Sequence, residues 1–186
     1  MREYTMSMGK VNGVAMLLIL PIGVILGLPF FSLYGFDKFS FSALRLGNYI
    51  SGTMLFFIVL VAGAVFHEFL HGITWAIFAK KHWRSISFGI KWEYVTPYCH
   101  CDEPLKKWQF SLGALMPFFI MGLIPVVLSY FNGSFKLWFF GFFFSIAAGG
   151  DLIASWMLRK VKKNEMVLDH PSELGFIVPE TEDVEK

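Results

Sequence analysis

The segment AVFHEFLHGITWAIF, residues 64–78, sets His67, Glu68 and His71 in the middle of an otherwise apolar run. On a helix, residues four apart stack one turn above the other, so His67 and His71 face the same way and can grip one metal ion. Glu68 projects about 100° round the axis. It stands beside the imidazole pair, too far round to be an easy third ligand but able to reach a water held on the metal. Two ligands one turn apart with a base beside them is the H-E-x-x-H arrangement of metal-assisted hydrolysis.

Two histidines do not complete a catalytic zinc site, which uses three protein ligands and an open position. Outside the motif, Asp151 is the only acidic residue in any other long apolar segment. Small residues flank it (Ala147, Ala148, Gly149, Gly150, Ala154, Ser155), and Gly63 and Gly72 border the histidine face. Small residues let two helices approach closely. Asp151 lies about seven residues, and His71 about eight, from the ends of their segments on one side, so at about 1.5 Å per residue their depths agree within a turn. His67, His71 and Asp151 are therefore the expected metal ligands and Glu68 the expected catalytic base, with one Zn2+ per chain. Rival ligands are Cys99, His100, Cys101, Asp102 and Glu103 in the loop after the motif and His170 near the C-terminus; these read as ordinary solvated loop residues, and His82 beside Trp83 as interfacial. Two cysteines two apart suggest neither a disulfide framework nor a strong metal site.

The elements that must position these groups read as membrane spans. Of 186 residues, 55% are hydrophobic and 16% charged, with 22 Phe, and the mean hydropathy is +0.57. A soluble domain carries about 25% charged residues. Four stretches reach the roughly 20 residues needed to span a bilayer: 12–33, 50–79, 108–130 and 136–158, followed by a polar tail, 159–186, with a mobile tip. The expected fold is an all-α membrane protein, one domain over 1–186, with four transmembrane helices. A short β-strand or hairpin is expected in the loop between the second and third. There Ile86, Phe88, Ile90, Trp92 and Tyr94 alternate onto one face until Pro97 ends the strand. Such a strand could lie flat on the membrane interface or offer an edge to an extended substrate. Pro117 is expected to kink the third span and free backbone carbonyls.

With four spans, both tails and the 80–107 loop share one side. That side holds thirteen Lys and Arg and the other side only Lys38, Arg45 and Lys136, which places both termini in the cytoplasm. Nothing suggests nucleic acid as a partner; the expected partners are the lipid bilayer and a membrane protein or peptide substrate.

HEFLHGI followed by a basic strand-like loop, GGD in the last span and LDHPSELGF in the tail resemble a bacterial zincin peptidase family of small multi-span proteins. The likeness covers roughly residues 50–178 and extends more distantly to site-2 proteases, from which GGD departs in lacking a longer Asn/Pro-rich motif before the Asp. It implies zinc bound by His67, His71 and Asp151, a zinc-activated water and Glu68 as base, hydrolysing peptide bonds near the cytoplasmic face. The competing reading is a non-catalytic membrane scaffold or chaperone with a relic motif; the five histidines are too few for a di-iron oxygenase, and four spans without a repeat give a transporter little support.

Overall fold

The computed structural model describes residues 1–38, 49–93 and 96–180. It is mostly helical, with two small antiparallel sheets on one side of the helices. After a short strand β1 (Arg2–Met6), α1 runs Met8–Tyr34 and α2 runs Tyr49–Phe78. The hairpin β2 (Ile86–Lys91) and β3 (Thr96–Cys101) follows, then β4 (Leu105–Lys106) leading into α3 (Lys107–Pro117). A π-helical stretch, Phe118–Leu123, joins α3 to α4 (Ile124–Asn132). The chain turns at Gly133, whose left-handed φ of 66° suits glycine, and returns through α5 (Phe135–Ala147) and α6 (Gly149–Met157). Strands β5 (Met166–Asp169) and β6 (Leu174–Val178) close the described chain.

Three helical stretches are long and apolar enough to cross a membrane, namely Met8–Tyr34, Met54–Phe78 and Lys107–Asn132; α5 and α6, bent by 45°, make a fourth if the pair is one crossing. Their apolar residues point outward as well as inward. Leu17, Leu20 and Ile25 on α1 and Val61 and Ile77 on α2 are all exposed. A helix apolar all round has no face suited to water.

Pro21 and Pro29 sit inside α1. Proline cannot donate to the helix ladder and its ring presses on the carbonyl four residues back. Near Pro29, the Leu26 carbonyl accepts hydrogen bonds from the Trp138 indole and the Tyr130 hydroxyl, both at 2.9 Å. Those bonds tie α1 to α4 and α5 around a cluster of Leu26, Phe30, Val126, Phe135 and Trp138. A second cluster, including Val11, Trp75, Phe110, Ile153 and Phe176, joins α1, α2, α3, α6 and β6 near the sheets.

The expected hairpin is present, in the register Phe88↔Cys99 and Ile90↔Pro97. Pro97 lies within β3, where sequence predicted a strand terminator. The Asp102 N–H bonds the Ser85 carbonyl across the hairpin at 2.9 Å, so in this register the even-numbered residues of β3 turn their amide groups toward β2 and the odd-numbered ones away. Pro97 is one of the odd-numbered residues, and its missing N–H removes no ladder bond. Trp92 is in the turn after β2, and Tyr94 lies outside the described residues.

The other sheet departs from an all-α fold. Its order is β1-β6-β5-β4, with Arg2 opposite Val178 and Leu105 opposite Val167. The start of the chain, the segment before α3 and the tail are thus paired on one side of the helices. An Arg2–Glu165 ion pair reinforces this. The tail is folded to Val178, and its tip at 181–186 lies outside the described residues.

Candidate metal centre

His67, Glu68 and His71 occupy successive positions on α2, and Asp151 stands in the first turn of α6. Sequence predicted one continuous last span, 136–158. Instead the helix bends at Ala148, and Asp151 belongs to a new helix whose N-terminal dipole favours a carboxylate. Gly149 lets the start of α6 pack closely on α1, where a Cβ would meet the Ala15 Cβ at 3.1 Å.

The three predicted ligand residues come together. His67 Nε2 lies 3.1 Å from Asp151 Oδ2, and His71 Nε2 lies 3.4 Å from Asp151 Oδ1. One donor atom from each residue falls within 4.8 Å of the others, and no other group of His, Cys, Asp and Glu does this among the described residues. Both histidines are buried.

The second nitrogen of His71 is fixed by its surroundings. Nδ1 is 2.9 Å from the Gly113 carbonyl oxygen, so it carries the hydrogen and leaves the Nε2 lone pair toward Asp151. That carbonyl is available because of Pro117. In a regular helix the amide of residue 117 would bond the carbonyl of residue 113, and proline has no amide hydrogen. The carbonyl freed by the predicted kink is therefore the one that orients His71. Trp75 stacks on the His71 ring (centroids 5.3 Å, 19°) and on Phe110 on its other face (5.3 Å, 21°), and its Nε1–H donates to the Phe110 carbonyl at 3.1 Å. His67 Nδ1 is buried without a partner.

This donor set fits a metal ion. Unprotonated imidazole nitrogens and carboxylate oxygens are all acceptors, so in a buried place they need a shared proton or a metal cation between them. Two nitrogens and one oxygen match catalytic zinc, and the His71–Gly113 bond is the outer-shell contact that metal-bound histidines make.

The site opens in two directions. A cavity of about 380 Å³ on the sheet side is lined by His67, Glu68, His71 and Asp151 together with polar residues of β3 and the β5–β6 turn. A narrower apolar groove between α2 and α5, walled by Leu60, Val61, Ala64, Phe143 and Phe144 and closed by Pro97, also reaches His67 and Glu68.

The rival residues are not simply solvated. Only Asp102 is exposed as expected. Glu103 is buried and accepts the backbone N–H groups of Lys80 and Lys81, at 2.6 and 3.2 Å, past the end of α2. His82 bonds the Ala76 carbonyl, and its φ is 52°. Burial pushes the Cys99 thiol up and the Cys101 thiol to about 11, so both remain thiols, poor as ligands and nucleophiles. His170 Nδ1 accepts the backbone N–H groups of Ser172 and Glu173, fixing the β5–β6 turn at the cavity rim. His100 is paired with Asp169, Nδ1 to Oδ2 at 2.8 Å. Nothing in the spacing of residues 69 apart signals that contact.

The family described as "Putative zincin peptidase" matches residues 57–166, more than half of the chain, and spans the histidine motif and Asp151. No curated protein and no solved structure matches the chain.

Proposed function

The chain belongs to that zincin peptidase family, and on this premise we propose that it is a membrane-embedded zinc metallopeptidase that hydrolyses peptide bonds of membrane protein or peptide substrates near the cytoplasmic face. The observation that carries the reading is the convergence of His67, His71 and Asp151 within 4.8 Å, with Glu68 next to them on the cavity wall. In it His67 and His71 bind through Nε2 and Asp151 through its carboxylate. The zinc ion they hold supplies Lewis acidity, polarising the scissile carbonyl and acidifying water. Glu68 takes a proton from the attacking water as the C–O bond forms, and delivers it to the amine nitrogen as the C–N bond breaks.

Four spans fit the pairing of β1, β4 and β6 in one sheet, since strands from both ends of the chain and from the middle loop must lie on one side. The excess of Lys and Arg there makes that side cytoplasmic. The two openings divide the traffic. Water enters through the polar cavity, and an apolar substrate segment reaches Glu68 along the groove between α2 and α5, where phenylalanines face it.

The test is a membrane proteome comparison of cells carrying wild type or Glu68→Gln. A membrane protein that accumulates whole in the variant and is cut in the presence of wild type supports the reading and names the substrate. Equal processing by both refutes Glu68 as base.

A further inference from the structure

The cavity in front of the histidine motif has a second polar pair in its wall. His100 on β3 and Asp169 at the end of β5 both line it. Their side chains are only 20% and 15% exposed. With Nδ1–H given to Asp169, the remaining nitrogen of His100 is Nε2. It makes no hydrogen bond among the described residues and is not among the buried polar atoms that lack a partner, so it keeps accessible surface. The strand fixes its place. His100 and its strand neighbour Cys99 line the same cavity as His67, Glu68, His71 and Asp151.

Resting on the peptidase reading, we propose that His100 is a second catalytic residue, donating from Nε2–H to the scissile carbonyl oxygen as charge develops there, and that Asp169 is the positioning residue that holds its ring. When water adds to the carbonyl, the C–O bond forms and the π pair moves onto oxygen, where the Nε2–H meets it. When the C–N bond breaks, the pair returns to the carbonyl. His100 keeps its proton throughout, and the proton from water travels by Glu68 to the amine. Donors placed where charge develops are among the largest contributions to catalysis. The groups facing His100 favour the required imidazolium on balance. Its hydrogen bond to Asp169 raises its pKa above the ordinary value, Asp102 acts in the same sense and Lys91 on β2 opposes them; Glu68 on α2 and Glu173 in the β5–β6 turn line the same cavity.

The test uses the full zinc-loaded chain in dodecyl maltoside micelles with fluorescein-labelled casein as probe. His100→Gln should lower kcat about 10²–10³-fold with little change in KM or zinc content. Asp169→Asn should move the alkaline limb of the kcat profile to lower pH, toward about 6.5, a shift that loss of packing alone would not produce. A readout independent of turnover is carbethoxylation from about pH 6 to pH 10 followed by mass spectrometry: His100 should react only as its imidazolium loses a proton, at higher pH in wild type than in Asp169→Asn, and a peptidyl hydroxamate should protect it. His100→Gln with wild-type kcat, or a His100 that is unreactive or unprotected, overturns the assignment while leaving the peptidase reading intact if Glu68→Gln is inactive. A wild type no faster than Glu68→Gln overturns the peptidase reading, and the His100 assignment with it.

Discussion

Gly113 bears on the metal centre from α3, without touching the metal-facing atoms. Its carbonyl holds His71 Nδ1 at 2.9 Å, and its missing side chain makes room for Trp75. A Cβ at this position would stand 2.1 Å from Trp75 Nε1 and 2.2 Å from Cδ1, well inside van der Waals contact. The indole has no easy retreat. It is stacked between His71 and Phe110 with both centroids at 5.3 Å, and its N–H is engaged. Gly113→Ala must therefore shift Trp75 into His71 or push α3, with its carbonyl, away from α2. Either motion disturbs the outer contact that aims Nε2. Loss of such contacts lowers metal affinity about 10–100-fold, equivalent to about 1.4–2.7 kcal/mol. Zinc affinity measured in micelles by competition with a fluorescent chelator should show that drop. Gly13→Ala on α1, where a Cβ meets nothing within 4 Å, is the control and should match wild type. A Gly113→Ala protein that binds zinc within about twofold of wild type would refute the argument that the α3 carbonyl and Trp75 set the His71 geometry.

Other outcomes follow from the same contacts. Glu68→Gln should retain zinc while turnover falls about 10²–10⁴-fold, checked by metal analysis beside the casein assay. Gly63→Ala drives a Cβ to 2.2 Å from Phe144 Cζ, a ring that is fully buried; such overpacking costs about 1–3 kcal/mol and should appear as a lower Tm in micelles. The raised pKa of His100, caused first by its hydrogen bond to Asp169, makes the pair's contribution to stability complete below about pH 6.5. That contribution is lost as pH rises through the folded-state value. The Tm gap between wild type and His100→Gln should therefore narrow from pH 6 to pH 9, and a gap that widens would contradict the sign.

What was legible in the sequence follows the reach of each signal. The histidine motif rests on helical spacing within five residues, and Asp151 stood out because a carboxylate is costly among apolar residues. The β2–β3 hairpin showed in the alternation from Ile86 to Ile90. The bend at Ala148 did not, because paired glycines are equally suited to close helix packing, which is how Gly149 and Gly150 read. The sheet joining β1 to β6 was hidden because its strands are short and come from distant parts of the chain, Arg2 meeting Val178 from opposite ends. His100 looked like an ordinary loop residue for the same reason: Asp169 arrives on a strand within what sequence read only as a polar tail. Pro117 pointed to freed backbone carbonyls, although proline is also common in membrane helices, and only the packing of α2 against α3 shows which side chain uses the one at Gly113.

Zinc K-edge X-ray absorption on the purified full chain, wild type against Asp151→Asn, addresses the metal centre itself. About one zinc per chain is expected, with two imidazole nitrogens and a carboxylate oxygen at about 2.0–2.2 Å, and the oxygen contribution and much of the metal should be lost in Asp151→Asn. A wild-type protein without zinc, or a zinc shell unchanged by Asp151→Asn, would contradict the account.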